Sequence, residues 1–189
     1  SFAYLKLHDF LPVPTEISLL DVAFLIQGYM AEQMTLKSVF AYHPQNKFIF
    51  LPVFLIIIAG FFVYFNSIDG EFLWDDELWV KGNPHIRNWS AINKMFTENV
   101  GVWEGRKYNF YRPLQLLTYT IDYSLWKLNV RGYHFTNIFL HILVALLIYW
   151  LIIILFANNL LSTITSLLFV THPIHTEAVS WISGRVYVM

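Results

Sequence analysis

Two long intervals without a charged residue constrain this chain more than any other feature of its sequence. Residues 48–68 contain no Asp, Glu, Lys or Arg, and neither do residues 132–176. About 20 helical residues cross a hydrocarbon core of about 30 Å, so the first interval fits one span and the second fits two. Pro52 falls in the first turn of the first span, where its missing N–H costs little. Asn158-Asn159 is the strong turn signal that divides the second interval. The expected spans are residues 48–66, 134–156 and 159–172. The last is short and carries Ser162, Thr163, Thr165 and Ser166, so it either continues past Pro173 as a kinked helix or ends early beside a polar cavity. The reading is an all-α integral membrane fold of about three transmembrane helices.

Composition agrees. Of 189 residues, 57% are hydrophobic and 13% charged, about half the charge of an ordinary soluble domain. With a net charge of −1, this excludes a disordered chain, a nucleic-acid binder and a typical cytosolic enzyme. The absence of cysteine excludes disulfides, thiolate chemistry and Cys-based zinc sites.

The polar remainder is concentrated. Residues 67–133 form a long loop, expected to be ordered and to bear short interfacial helices. Ser90 is placed to cap a helix over residues 91–97. Pro113 is placed to open one over residues 114–126, with Leu114, Leu117, Ile121 and Leu125 on one face suited to lie on the membrane surface. Residues 1–45 differ in kind and form an N-terminal segment of uncertain status. Met34 would make a natural start, and Lys37 and Lys47, unopposed by acids, favour a cytoplasmic N-terminus. The loop is then external: periplasmic, extracellular or lumenal.

Two crossings separate the acidic cluster Asp75-Asp76-Glu77 from His172-Pro173-Ile174-His175-Thr176-Glu177, so both emerge on one membrane face whatever the orientation. His134, Asn137 and His141 begin the second span there, on one helical face. Adjacent carboxylates raise at least one pKa, and a carboxylate at a membrane rim can act as a general base toward a hydroxyl. A solvated acidic turn or a helix cap explains the same residues equally well. His172 and His175 stand at i and i+3 across a proline rather than the i and i+4 of helical zinc motifs. No metal and no cofactor is therefore assigned, and a divalent metal there is the lesser reading. Arg112 and Arg185, beside Pro113 and Gly184, suit a lipid phosphate or snorkelling at the interface. His134, Asn137 and His141 suit interhelical hydrogen bonding. Asn88-Trp89-Ser90 matches a glycosylation acceptor.

The ordered series Phe72-Leu73-Trp74-Asp75-Asp76, Asn83-Pro84-His85-Ile86, Tyr111-Arg112-Pro113-Leu114, Asp122-Tyr123, Gly132-Tyr133-His134, Asn137 with His141, and His172 through Val179 to Ser183-Gly184-Arg185 resembles the start of the transmembrane and tetratricopeptide repeat (TMTC) proteins and their bacterial relatives. The resemblance covers about residues 48–189 and implies that residues 46–189 are part of a GT-C-type membrane glycosyltransferase similar to protein O-mannosyltransferases. Such enzymes transfer a sugar from a polyprenyl-phosphate carrier to a Ser or Thr hydroxyl of a protein acceptor, on the non-cytoplasmic face. The implied base is Asp75, with Asp76 next. Arg112, His172, His175, Glu177 and Arg185 are implied at the donor phosphate or substrate, with Glu77, His134, Asn137 and His141 behind them. It also implies an N-terminal piece of a longer chain, inactive alone, with further spans and tetratricopeptide repeats to follow. Two other functions compete: a proton- or ion-coupled transporter using the histidines as a relay, and a non-catalytic anchor for a repeat region that binds partners.

Overall fold

In the computed structural model the described residues are 49–99, 105 and 110–189. The expectations for residues 1–45, Lys37 and Lys47 lie outside them. Among the described residues, six α-helices joined by short 3₁₀ and π turns account for the regular structure, with no strand: α1 Phe50–Tyr64, α2 Ile92–Thr97, α3 Pro113–Trp126, α4 Val130–Phe156, α5 Asn159–Thr171 and α6 Thr176–Ser180. Among the described residues, two helical stretches are long and apolar enough to cross a membrane, Phe50–Asp69 (α1 with its following 3₁₀ turn) and Val130–Phe156. At 13 residues, α5 is about 20 Å long, two thirds of a hydrocarbon core. It stops at His172 because Pro173 cannot continue the α-helical ladder, and the chain proceeds as the 3₁₀ turn Pro173–His175 and then α6.

The α4–α5 corner is built as its residues dictate. Ala157 takes the left-handed conformation (φ 49°) that ends α4, and the Asn158 side chain accepts from Leu161 N at 3.0 Å to cap α5. Tyr149 then donates to Asn159 Oδ1 at 2.8 Å. Helices α1, α4 and α5 pack on one another around Ile56, Tyr64, Ile138, Ile142, Ala145, Ile153 and Val170. Close approach depends on Gly60, where a Cβ would stand 2.5 Å from Ile142 Cγ1 and 3.0 Å from Val170 Cγ2. The opposite faces expose Phe50, Phe54, Phe62, Leu147, Trp150, Leu160 and Leu168. An exposed apolar surface this extensive suits lipid, not water.

The described residues of the polar interval pack around a second core of Trp79, Val80, Ile86, Met95, Leu116, Tyr119, Tyr133 and Ile182. Asn88, not Ser90, caps the segment before α2, accepting from Ser90 N at 3.0 Å. The expected cap fails because the chain turns two residues earlier. Helix α3 starts at Pro113 as expected, and its two faces are inverted relative to a soluble helix. Gln115, Tyr119, Thr120 and Asp122 are buried, whereas Leu114, Ile121 and Leu125 are exposed.

Because Gly60 sits where three helices meet, Gly60→Leu is expected to destabilise the described bundle by about 1–3 kcal/mol. Thermal unfolding in detergent measures it, and an unchanged midpoint would contradict this packing.

Candidate functional site

The segment after α6 explains how distant polar residues meet. The 3₁₀ stretch Ile182–Tyr187 and the residues just before it have backbone carbonyls that side chains of α3 and α4 satisfy. Gln115 Nε2 donates to Ser183 O at 2.9 Å and Tyr119 Oη to Ile182 O at 3.2 Å. Asn137 Nδ2 donates to Val179 O and Trp181 O at 3.1 and 3.0 Å. Burial pushes the Tyr119 hydroxyl up to about 12, so it serves as a neutral donor. Gly184 admits the tight return, because a Cβ there would lie 2.6 Å from Glu177 O.

Arg185 is fully buried and wholly engaged with protein. Its Nη2 lies 2.6 Å from Asp122 Oδ2 and 3.2 Å from Tyr133 O. Its Nε donates to Asn137 Oδ1 at 2.6 Å and its Nη1 to Thr118 Oγ1 at 3.0 Å. The guanidinium carbon stands 4.9 Å from the Tyr119 ring centre. Stripping water from each ion costs several kcal/mol, recovered only when the remaining donors find acceptors, and here each guanidinium nitrogen has at least one. The sequence reading put Arg185 at a substrate phosphate. The structure puts it inside a protein network, since Asp122, on the inverted face of α3, reaches it first. Burial pushes the Asp122 carboxyl up, and the Arg185 charge opposes that shift.

The acidic cluster is divided. Asp76 is buried, and its Oδ1 accepts from Ser183 N at 2.8 Å and from the Ser183 hydroxyl, while its Oδ2 accepts from Leu73 N at 3.0 Å. Burial pushes its carboxyl above the ordinary value, and the Ser183 and Leu73 hydrogen bonds pull it back. Asp75 is exposed and lines a cavity of about 110 Å³ with Trp79, Phe110, Arg112, Trp181, Ser183, Val186 and Tyr187. Arg112, half-buried and 4.7 Å from the Phe110 ring, also borders an adjoining, largely apolar hollow of about 260 Å³ formed by Tyr111, Pro113, Leu114, Gln115, Val186 and Met189. Glu77 is turned away and pairs with Lys81 at 2.8 Å on the surface.

His172, His175 and Glu177 do not line the Asp75 cavity. His172 is exposed, its Nδ1 accepting from Ile174 N at 3.2 Å as a cap, and its carbonyl accepts from the Tyr64 hydroxyl at 3.4 Å. His175 packs against Phe169 and His141, with ring centres 4.5 and 5.1 Å apart. Burial, and next the neighbouring His172, hold its imidazole below the ordinary value. Glu177 is exposed. His141 brings Nε2 to 3.4 Å from Val170 O, whereas both ring nitrogens of buried His134 lack a hydrogen-bond partner among the described residues. No group of three His, Asp or Glu is arranged to hold a metal ion among the described residues. Sequence reasoning missed Ser183, Trp181 and Tyr187 as cavity residues. Their one signal was position, immediately around Gly184-Arg185.

The chain is similar to several known proteins. The chain is 38% identical over 140 residues to human "Protein O-mannosyl-transferase TMTC1", a match covering 71% of this chain and 16% of that protein. It is 35% identical over 125 residues to human "Protein O-mannosyl-transferase TMTC3", covering 65% and 14%. To the Xenopus laevis "Protein O-mannosyl-transferase tmtc2" it is 33% identical over 129 residues, covering 67% and 15%. The matched stretch thus spans 14–16% of these relatives' length. No family model and no solved structure matches the chain.

Two outcomes follow from this geometry. Arg185→Met strands the Asp122 carboxylate and is expected to cost about 3–5 kcal/mol, partly recovered by adding Asp122→Leu; equilibrium unfolding of the single and double variants measures both. His175, with its folded value depressed, takes up its proton more readily when unfolded. Stability is therefore expected to fall as pH drops below about 6.5, and the melting temperature of His175→Gln should decline less between pH 7.5 and 5.5.

Proposed function

This chain belongs to the TMTC family of protein O-mannosyl-transferases, and on that premise we propose that it contributes the acidic loop of a GT-C-type membrane glycosyltransferase. The donor is a sugar on a polyprenyl phosphate and the acceptor a Ser or Thr hydroxyl of a protein. The observation that carries this reading is the pairing of exposed Asp75 with Arg112 around one aromatic-lined cavity, next to an apolar hollow. Asp75 takes the proton of the acceptor hydroxyl as its oxygen bonds to the anomeric carbon. The bond from that carbon to the phosphate oxygen breaks, and polyprenyl phosphate leaves. Its charge gains a charge-assisted contact from Arg112. A phosphate leaving group needs no general acid.

Helices α1, α4 and α5 serve as three crossings, and residues 67–133 lie on the non-cytoplasmic face, lumenal in a eukaryotic cell. The exposed leucines and isoleucine of α3 then rest in the interface. A donor that resides in lipid reaches such a rim laterally. A transporter reading needs titratable groups spread along a span. In α4, His134 and His141 both occupy the half nearest the acidic loop, and residues 142–156 carry no titratable group apart from Tyr149, which favours the transferase.

Asp75→Asn in the intact protein is expected to lower transfer by about 10²-fold or more with an unchanged melting temperature, because the side chain is exposed. Transfer of labelled sugar from its polyprenyl-phosphate carrier to an acceptor peptide in membranes measures it, and full retained transfer would remove the base.

A further inference from the structure

The two aspartates after α1 differ in everything but charge. Asp75 faces a cavity, whereas Asp76 is 1% exposed and receives three hydrogen bonds, two of them from Ser183, 107 positions further along the chain. The turn that leads into them is strained. Trp74, immediately before Asp75, has φ 46°, a left-handed conformation that a bulky side chain adopts only where its surroundings impose it. Here the turn is closed by hydrogen bonds, Leu73 N donating to Asp76 Oδ2 at 3.0 Å and Asp76 N to Leu73 O at 2.9 Å, while the Trp74 ring, 81% exposed, meets Trp181 edge-on at 6.1 Å, two residues before Ser183. Ser183 also lines the Asp75 cavity, and Gln115 holds its carbonyl.

We infer that Asp76 and Ser183 form a positioning clamp that holds the Trp74 turn in its strained conformation and thereby fixes Asp75 at the cavity it shares with Arg112. This rests on the transferase reading above and deepens it: Asp75 exchanges the proton, Asp76 does not, and Ser183 is a positioning residue. A carboxylate that already accepts three hydrogen bonds from protein has little capacity left for an acceptor hydroxyl. Its neighbour is free, but only while the turn is held. Loosening the clamp displaces the base without touching Arg112, so turnover should suffer and donor affinity should not.

The test uses the intact protein in membranes. Ser183→Ala is expected to lower kcat about tenfold or more while KM for the polyprenyl-phosphate sugar stays within about twofold, and Ser183→Thr, which restores the hydroxyl, should recover most of the rate. Independently of activity, oxidation of the Asp76→Cys/Ser183→Cys pair is expected to yield a crosslinked peptide by mass spectrometry. Wild-type kcat in Ser183→Ala, or a loss that follows a fallen melting temperature and is not recovered by Ser183→Thr, overturns the clamp. So does the absence of the crosslink. No transfer by the wild-type protein overturns the transferase reading itself; full transfer by Asp75→Asn overturns Asp75 as the base and the positioning role with it; and an inactive Asp75→Asn beside a fully active Ser183→Ala overturns the positioning role alone.

Discussion

The buried ion pair between Arg185 and Asp122 is the contact on which the polar half of the structure depends. A guanidinium away from water is tolerable only if each donor finds an acceptor, and this requirement fixes three elements at once. Asp122 and Thr118 come from α3, Asn137 and the Tyr133 carbonyl from α4, and Arg185 from the 3₁₀ stretch that follows α6. These elements also share the apolar core of Leu116, Tyr119, Tyr133 and Ile182, but that contact does not by itself set their register. Hydrophobic contact is nondirectional; five N–H groups in a fixed fork are not.

The same requirement accounts for the inverted look of α3. Its polar residues are drawn inward to serve Arg185 and the carbonyls of Ile182 and Ser183, leaving Leu114, Ile121 and Leu125 outside. In water such a helix would be frustrated. At a membrane interface both faces are satisfied, since lipid takes the apolar side and the protein takes the polar one. Once the 3₁₀ stretch is seated on α3, Ser183 meets Asp76 and Trp181 meets Trp74. Structural polar contacts and cavity-lining ones thus occupy adjacent residues, with Ser183 and Arg185 turned to different partners.

Much of this was legible beforehand, for identifiable reasons. Long charge-free intervals report directly on the solvent a segment requires, so α1 and α4 were expected within a few residues of where they lie. Pro113 and Asn158-Asn159 act locally through φ and side-chain capping, and both behaved as local chemistry requires. Pairwise assignments were not legible. Arg185 resembled a phosphate ligand because exposed and buried arginines look the same in sequence, and only the placement of Asp122 distinguishes them. His172 and His175 looked like partners of the acidic cluster because both segments were expected at one rim; in the structure Ser183, eight residues beyond His175, makes that contact.

Sequence alone determined which stretches avoid water, where the chain turns between α4 and α5, and that a charged, aromatic interval lies between the first two apolar helices. These properties are local, set by side-chain transfer free energies and backbone preferences within a few residues. Tertiary structure decided which of two adjacent aspartates is buried, which arginine is committed to protein and which borders a cavity. Those outcomes depend on hydrogen-bond geometry between residues about fifty to a hundred positions apart, and no local preference encodes a partner at that distance.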